Sequence, residues 1–276
     1  MKYNSKRIIL YYQTLIDLQP LIADIKVHRQ LDNTPLVTHI TLASIHFGYD
    51  LDPDKIPYIH LNNDSAFSDK FKTVYENLLT LNKMDVKINL LIGGAGSAFN
   101  MLFSNYPVFY KLLKEFVGSV DFIDGFNLDV EEGVTLDDMV MLVNDLKKDF
   151  PKNSIIFAPL GDSIATNDPG MGGFSYKDLK DKVGDSIEYY NTQCYGEYNL
   201  DMYDKMVNNN YKSNQLVMGM LTGQDFNSII NEIHTIVTKY GDKFGGVAIW
   251  EYYNAPPSSP KTPYVWCEVM NKLLYH

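Results

Sequence analysis

The sequence predicts an α/β protein built as one (β/α)8 barrel, a TIM barrel. Three observations carry this. Eight short, β-rich apolar runs recur along the chain, at 7–14, 39–47, 87–93, 122–131, 154–160, 187–195, 215–222 and 245–252. Amphipathic stretches of helical period separate them, among them 66–84, 106–117, 136–149, 201–210 and 225–240. Strand–helix alternation implies parallel strands with crossover helices, and eight such units close a barrel. A doubly wound open sheet would show the same alternation, but the count of eight favours closure. At 276 residues and 45% hydrophobic, the chain can fill one large core. No linker, repeat or low-complexity tract interrupts it, so residues 1–276 read as a single domain.

The first run follows Met1-Lys2-Tyr3-Asn4-Ser5-Lys6-Arg7 and faintly imitates a signal peptide. Tyr11-Tyr12-Gln13 breaks its apolar stretch and no small-residue cleavage site follows, so it reads as a strand. After the second run, the acidic 48–64 segment, with Asp50, Asp52, Asp54, Pro53 and Pro57, is expected to form one wall of a cleft. Gly93-Gly94-Ala95-Gly96-Ser97 follows the third run; its glycines allow backbone to approach a ligand closely, whereas a dinucleotide fingerprint requires a different spacing.

The fourth run, Asp124-Gly125-Phe126-Asn127-Leu128-Asp129-Val130-Glu131, is the most informative. Alternation puts Asn127, Asp129 and Glu131 on one face and Phe126, Leu128 and Val130 on the other. Two acids and an amide along a buried strand oppose folding unless ligand or chemistry uses them. Glu131 falls at the strand's C-terminal end, where barrel enzymes keep their catalytic groups. Glu132 has the other parity and is expected to face helices or a loop, and Asp124 to tie the strand's start to backbone.

Thr135 with Asp138 and Ser175 with Asp178 read as capping boxes, and Pro151 and Gly241 close the helices before the fifth and eighth strands. Asp162, after the fifth run, sits at a strand end and is a candidate to bind ligand. Gln193, Cys194 and Tyr195 end the sixth run. Gly245 to Glu251 forms the eighth and places Trp250 at the mouth, with Glu251 and Tyr252 as candidates to line the cleft. Between the seventh and eighth strands, 223–244 leaves no room for an inserted subdomain, so the cleft is expected to be shallow and open.

Twenty-four Lys and Arg against 34 Asp and Glu give a net charge of −10. Such a surface repels phosphate backbones, which argues against nucleic acid or an anionic membrane as partner and suits a neutral polysaccharide. Cys194 and Cys267 make no disulfide framework. His28, His39, His46, His60, His234 and His276 form no ligand-spaced pair on a plausible helix, so neither metal nor cofactor is expected. No stretch approaches a transmembrane span. A monomer is expected; localisation stays open.

Residues 122–131 resemble the Asp-Gly-x-Asp-x-Asp-x-Glu signature of glycoside hydrolase family 18, the chitinase family. Leu91-Ile92-Gly93-Gly94 is similar to its third-strand Ser-x-Gly-Gly, with Leu91 in place of Ser. Gln193-Cys194-Tyr195 is similar to its sixth-strand Gln-x-Tyr, and Gly245 to Trp250 to its eighth-strand Gly-Gly-x-x-x-Trp. Asn127 departs from the Asp usual in active members. The resemblance, to the compact hevamine-like branch, implies Glu131 as general acid and base, Asp129 and Tyr195 as partners of the substrate acetamido group, and Asn127, Gln193, Trp250, Gly93 and Gly94 as substrate contacts. It implies a retaining hydrolase of β-1,4-linked N-acetylglucosamine, in chitin or at the core of N-linked glycans. A non-catalytic lectin-like member is the alternative.

Overall fold

A computed structural model describes residues 6–50 and 56–276. Met1–Ser5 of the leader-like stretch, and Asp52, Pro53 and Asp54 of the expected cleft wall, lie outside the described residues.

Eight parallel strands close the barrel: β1 (Arg7–Tyr12), β2 (His39–Tyr49), β5 (Lys87–Gly93), β6 (Gly125–Asp129), β7 (Ser154–Phe157), β8 (Ile187–Gln193), β9 (Leu216–Leu221) and β10 (Gly246–Trp250). Each pairs with the next, β1 pairs with β10, and β1 with β2 seals the ring. Every predicted run matches one of these strands, β2 extending two residues past its run. The described parts of the 48–64 segment are strand rather than plain wall loop. Here β2 runs on to Tyr49 and is met antiparallel by β3 (Pro57–Leu61), which pairs with the short β4 (Asp64–Ser65).

Helices wrap the outside: α1 (Gln19–Leu31), α2 (Lys72–Asn82), α3 (Ala98–Ser104), α4 (Tyr106–Ser119), α5 (Leu136–Asp149), α6 (Gly161–Thr166), α7 (Tyr176–Val183), α8 (Leu200–Asn208), α9 (Phe226–Tyr240) and α10 (Val265–Tyr275). Thr135 Oγ1 accepts the Asp138 N–H at 3.1 Å, starting α5. Ser175 Oγ does the same for Asp178 at the start of α7, at 3.4 Å. Gly241 caps α9, and Pro151 follows the end of α5 by two residues. Only α9 and one short turn lie between β9 and β10.

Strand alternation divides the interior into two cores. Phe126, Leu128 and Val130 join the large layer between strands and helices. Ile9, Tyr11, Ala43, Leu91, Ile156, Tyr189, Val217 and Ala248 fill the lumen, with Trp250 at its top. Burying each large side chain contributes roughly 1.5–3 kcal/mol. Among the described residues no helix is long and apolar enough to cross a membrane.

Candidate active site

Because β6 hides its apolar face under the helices, Asn127 and Asp129 point into the lumen. Asn127 is fully buried and Asp129 is 5% exposed. β6 ends at Asp129, so Glu131 sits just beyond it rather than on the strand. Glu131 is half-buried and remains an electrostatic neighbour of Asp129.

The neighbouring strands converge on these acids. From the end of β8, Gln193 Nε2 donates to Asp129 Oδ1 at 3.0 Å and to the Ala158 carbonyl at 2.9 Å. It also hydrogen-bonds Glu131. Tyr195, two residues on, is close enough to Asp129 and Glu131 for both to oppose its ionisation, after burial, which raises its pKa most. From β1, Tyr11 Oη accepts Asn127 Nδ2 at 2.8 Å and Asn191 Nδ2 at 3.0 Å. Trp250 leans over Tyr11 from β10, with ring centroids 5.3 Å apart.

Gly93 and Gly94 grip the acid from β5. Gly93 has φ +103°, and a Cβ there would lie 2.2 Å from the Asp129 carbonyl oxygen, closer than any side chain permits. The Gly94 N–H donates to that same carbonyl at 2.9 Å. A Cβ on Gly94 would point to within 3.6 Å of Asp129 Oδ2. The close approach seen in the sequence is thus to Asp129 itself.

Burial pushes the Asp129 carboxyl well above its ordinary pKa, and the negative charge of Glu131 adds to this; the Gln193 amide pulls the other way. Burial also raises Glu131, again opposed by Gln193. A raised carboxyl holds its proton into mildly acidic solution, as a general acid must.

The computed structure is similar over nearly its whole length to solved glycosidases. A fungal endo-β-N-acetylglucosaminidase of glycosyl hydrolase family 18 shares 26% identity, with a TM-score of 0.84 over 98% of each chain. A chitinase from Aspergillus fumigatus shares 27%, with a TM-score of 0.78 over 97% of this chain and 99% of that one. These likenesses support a glycoside hydrolase. A family 18 chitinase from Pseudoalteromonas aurantia, at 20% identity and a TM-score of 0.69 over 98% of this chain and all of that one, shares the fold. No protein-family model and no curated protein matches the sequence.

The other acids of this glycosidase serve its frame. Glu132 accepts the Phe99 N–H and the Asn100 side chain, capping α3, as its parity implied. Asp124 accepts the Ile88 N–H at 2.9 Å and pairs with Lys87 at 3.0 Å. Glu251 is buried and takes both the Gln13 and Thr14 N–H groups, so it fixes the loop after β1 instead of lining open cleft. Tyr252 is likewise buried, edge-on to Tyr12 in the outer core, and does not face the cleft. Asp162 is exposed at the start of α6.

Sequence reasoning missed Tyr11 and Asn191, which tie Asn127 in place. Asn191 lies two residues before Gln193, so strand alternation alone would have put both on the lumen face. Among the described residues no three His, Cys, Asp or Glu side chains converge as metal ligands would.

Proposed function

We propose that this glycosidase cleaves β-1,4-linked N-acetylglucosamine with retention, using the substrate's own acetamido group as nucleophile. The observation that carries this reading is the pairing of Glu131 with the deeper Asp129 at the mouth, both raised in pKa and both held by Gln193. Glu131 gives its proton to the glycosidic oxygen as the bond to the anomeric carbon breaks. The acetamido carbonyl oxygen attacks that carbon from the opposite face and forms an oxazolinium-type ring. Asp129 accepts a hydrogen bond from the acetamido N–H, orienting the nucleophile and offsetting its positive charge. Tyr195 donates its hydroxyl hydrogen to the acetamido oxygen. Water then attacks the anomeric carbon, returns a proton to Glu131 and reopens the ring.

Burial of Asp129 supports this division of labour, since a carboxylate 5% exposed is poorly placed to attack an anomeric carbon itself. Trp250, above the lumen core, supplies an apolar floor for the sugar ring. Release of chromophore from an N-acetylchitooligosaccharide across pH 3–8 tests the proposal. Glu131→Gln should lose at least ~10²–10⁴-fold in rate while retaining sugar binding. Cleavage at the parent rate would remove Glu131 from its role, and binding without turnover by the parent protein would favour a lectin.

A further inference from the structure

Gly93-Gly94-Ala95-Gly96 carries the chain from β5 toward α3, with φ of +103°, +80° and +125° at its three glycines. Such a turn is intrinsically loose, because glycine gives up more conformational freedom than any other residue when it is fixed. Ala95 and Gly96 are also exposed. Yet the deep acid depends on where this turn lies. The Gly94 N–H donates to the Asp129 carbonyl at 2.9 Å. A Cβ on Gly94 would lie 3.6 Å from Asp129 Oδ2, whereas Gln193 holds the other oxygen, Oδ1.

His46 reaches the turn from β2. Its Nε2 is 3.2 Å from the Ala95 carbonyl oxygen, which can only accept, so Nε2 carries the hydrogen. Nδ1 is then the bare nitrogen, and Ser44 Oγ stands 3.5 Å away as its donor. A Cβ on Gly96 would come within 3.2 Å of Nε2, so ring and turn are closely packed. His60 of β3 backs the ring, with centroids 5.5 Å apart and planes inclined by 24°. His60 lies in turn against Tyr58 and donates from Nδ1 to the Asn62 carbonyl. Asn62 ties this support to the barrel, donating to the Gln13 carbonyl at 3.0 Å and accepting the Ser44 N–H at 3.3 Å. Burial, and then His60, hold His46 below its ordinary pKa, so it acts as an uncharged donor at neutral pH.

We propose that His46 is a positioning residue for Asp129: it pins the Ala95 carbonyl, and with it the Gly94 turn that closes over the Oδ2 side of the acid. The inference rests on the glycosidase reading above and adds to it a residue that acts through the turn. Releasing the pin lets the turn lift and admits water to Asp129. The titratable groups that bear on Asp129 are Glu131, Tyr11, Tyr195 and Tyr176, and none of them belongs to the turn or to β2. The hold of His46 on Asp129 therefore runs through solvent access rather than charge.

Carbon-13 NMR titration of the Asp129 carboxyl, assigned by its loss in Asp129→Asn, reads this positioning without turnover. In His46→Ala the carboxyl should titrate lower than in the parent, because burial is what raises it. His46→Gln, whose amide sets a donor near the Nε2 position, should restore the parent titration. With a chromogenic N-acetylchitooligosaccharide, His46→Ala should lose roughly tenfold in kcat with KM changed by less than about twofold. Its acidic limb should move toward acid, and His46→Gln should recover both rate and limb. Thermal melting monitors folding, and His46→Asn, too short to reach Ala95, replaces His46→Ala if the latter is unfolded at the assay temperature. An unmoved Asp129 titration, or a loss that His46→Gln does not recover, overturns the proposal. Failure of the glycosidase reading is seen separately, as a parent protein that cuts no substrate while the NMR comparison still decides the role of His46.

Discussion

Asn127→Asp places a carboxyl where the structure holds an amide, and its consequence can be worked through. When protonated, the new group is nearly isosteric with Asn and keeps its contact with Tyr11, 2.8 Å away. When ionised, it sits two residues from Asp129 on the same face of β6, at a separation of ~7 Å. At an effective dielectric constant of ~20 the repulsion is about 2.4 kcal/mol, enough to displace a titration by about 1.7 pH units. Asp129 is already raised by burial and by Glu131, so the pair retains one proton to higher pH than Asp129 alone. Because catalysis as proposed uses ionised Asp129, the acidic limb of kcat/KM should move toward neutral pH, by at most that amount. Stability gives a second readout. Variant and parent should melt alike in acid, and the variant should fall behind as pH rises, because its folded carboxyl is raised above the unfolded one. A superimposable acidic limb, together with a melting difference that does not change with pH, would refute the reasoning.

Three further outcomes follow from the same geometry. Gln193→Ala removes the amide that lowers both Asp129 and Glu131, so the whole pH–rate bell should slide toward alkaline pH, with a rate loss of roughly tenfold; an unmoved bell would mean that Gln193 has no hold on either acid. Asp129→Asn should raise the melting temperature at pH 7, with the gap closing in acid. The sign follows from a folded pKa above the unfolded one: the acid's cost grows as pH rises from its unfolded value and is complete above the folded one. Gly93→Ala forces a Cβ to 2.2 Å from the Asp129 carbonyl at φ +103°, and should lower unfolding free energy by at least ~1–3 kcal/mol in urea titration. Gly133→Ala, with nothing within 4 Å, is the matched control and should change little.

Periodicity carried the barrel, because each of the eight strands is a short run whose outer face must be apolar under a helix. It also carried the inward face of β6, since alternation needs no tertiary information. What it could not carry were contacts between distant strands. Tyr11 and Asn127 are 116 positions apart, and nothing local to either marks them as partners. Glu251 looked like a cleft residue because it ends a barrel strand, yet the N–H groups of Gln13 and Thr14 draw it inward. The β3–β4 hairpin was hidden by the acidic, Pro-containing stretch before it, although Tyr58-Ile59-His60-Leu61 alternates as a strand should. His46 and His60, unremarkable among scattered histidines, meet only because β3 pairs antiparallel with β2, which sets the two residues opposite each other.

Leu91 and Asn127 are register partners on β5 and β6. They are also the positions where the sequence differs from the family 18 signatures it resembles, which carry Asp at the place of Asn127 and Ser at the place of Leu91. The exchanges lie side by side in the lumen, so neither can be reversed without regard to the other. A carboxylate placed at 127 alone would have the Tyr11 hydroxyl as its donor but a hydrocarbon branch, Leu91, on the neighbouring strand. A serine restored at 91 alone would leave a small void beside Tyr11. Only with Leu91→Ser added would an acid at 127 gain a second hydroxyl beside it, from the neighbouring strand.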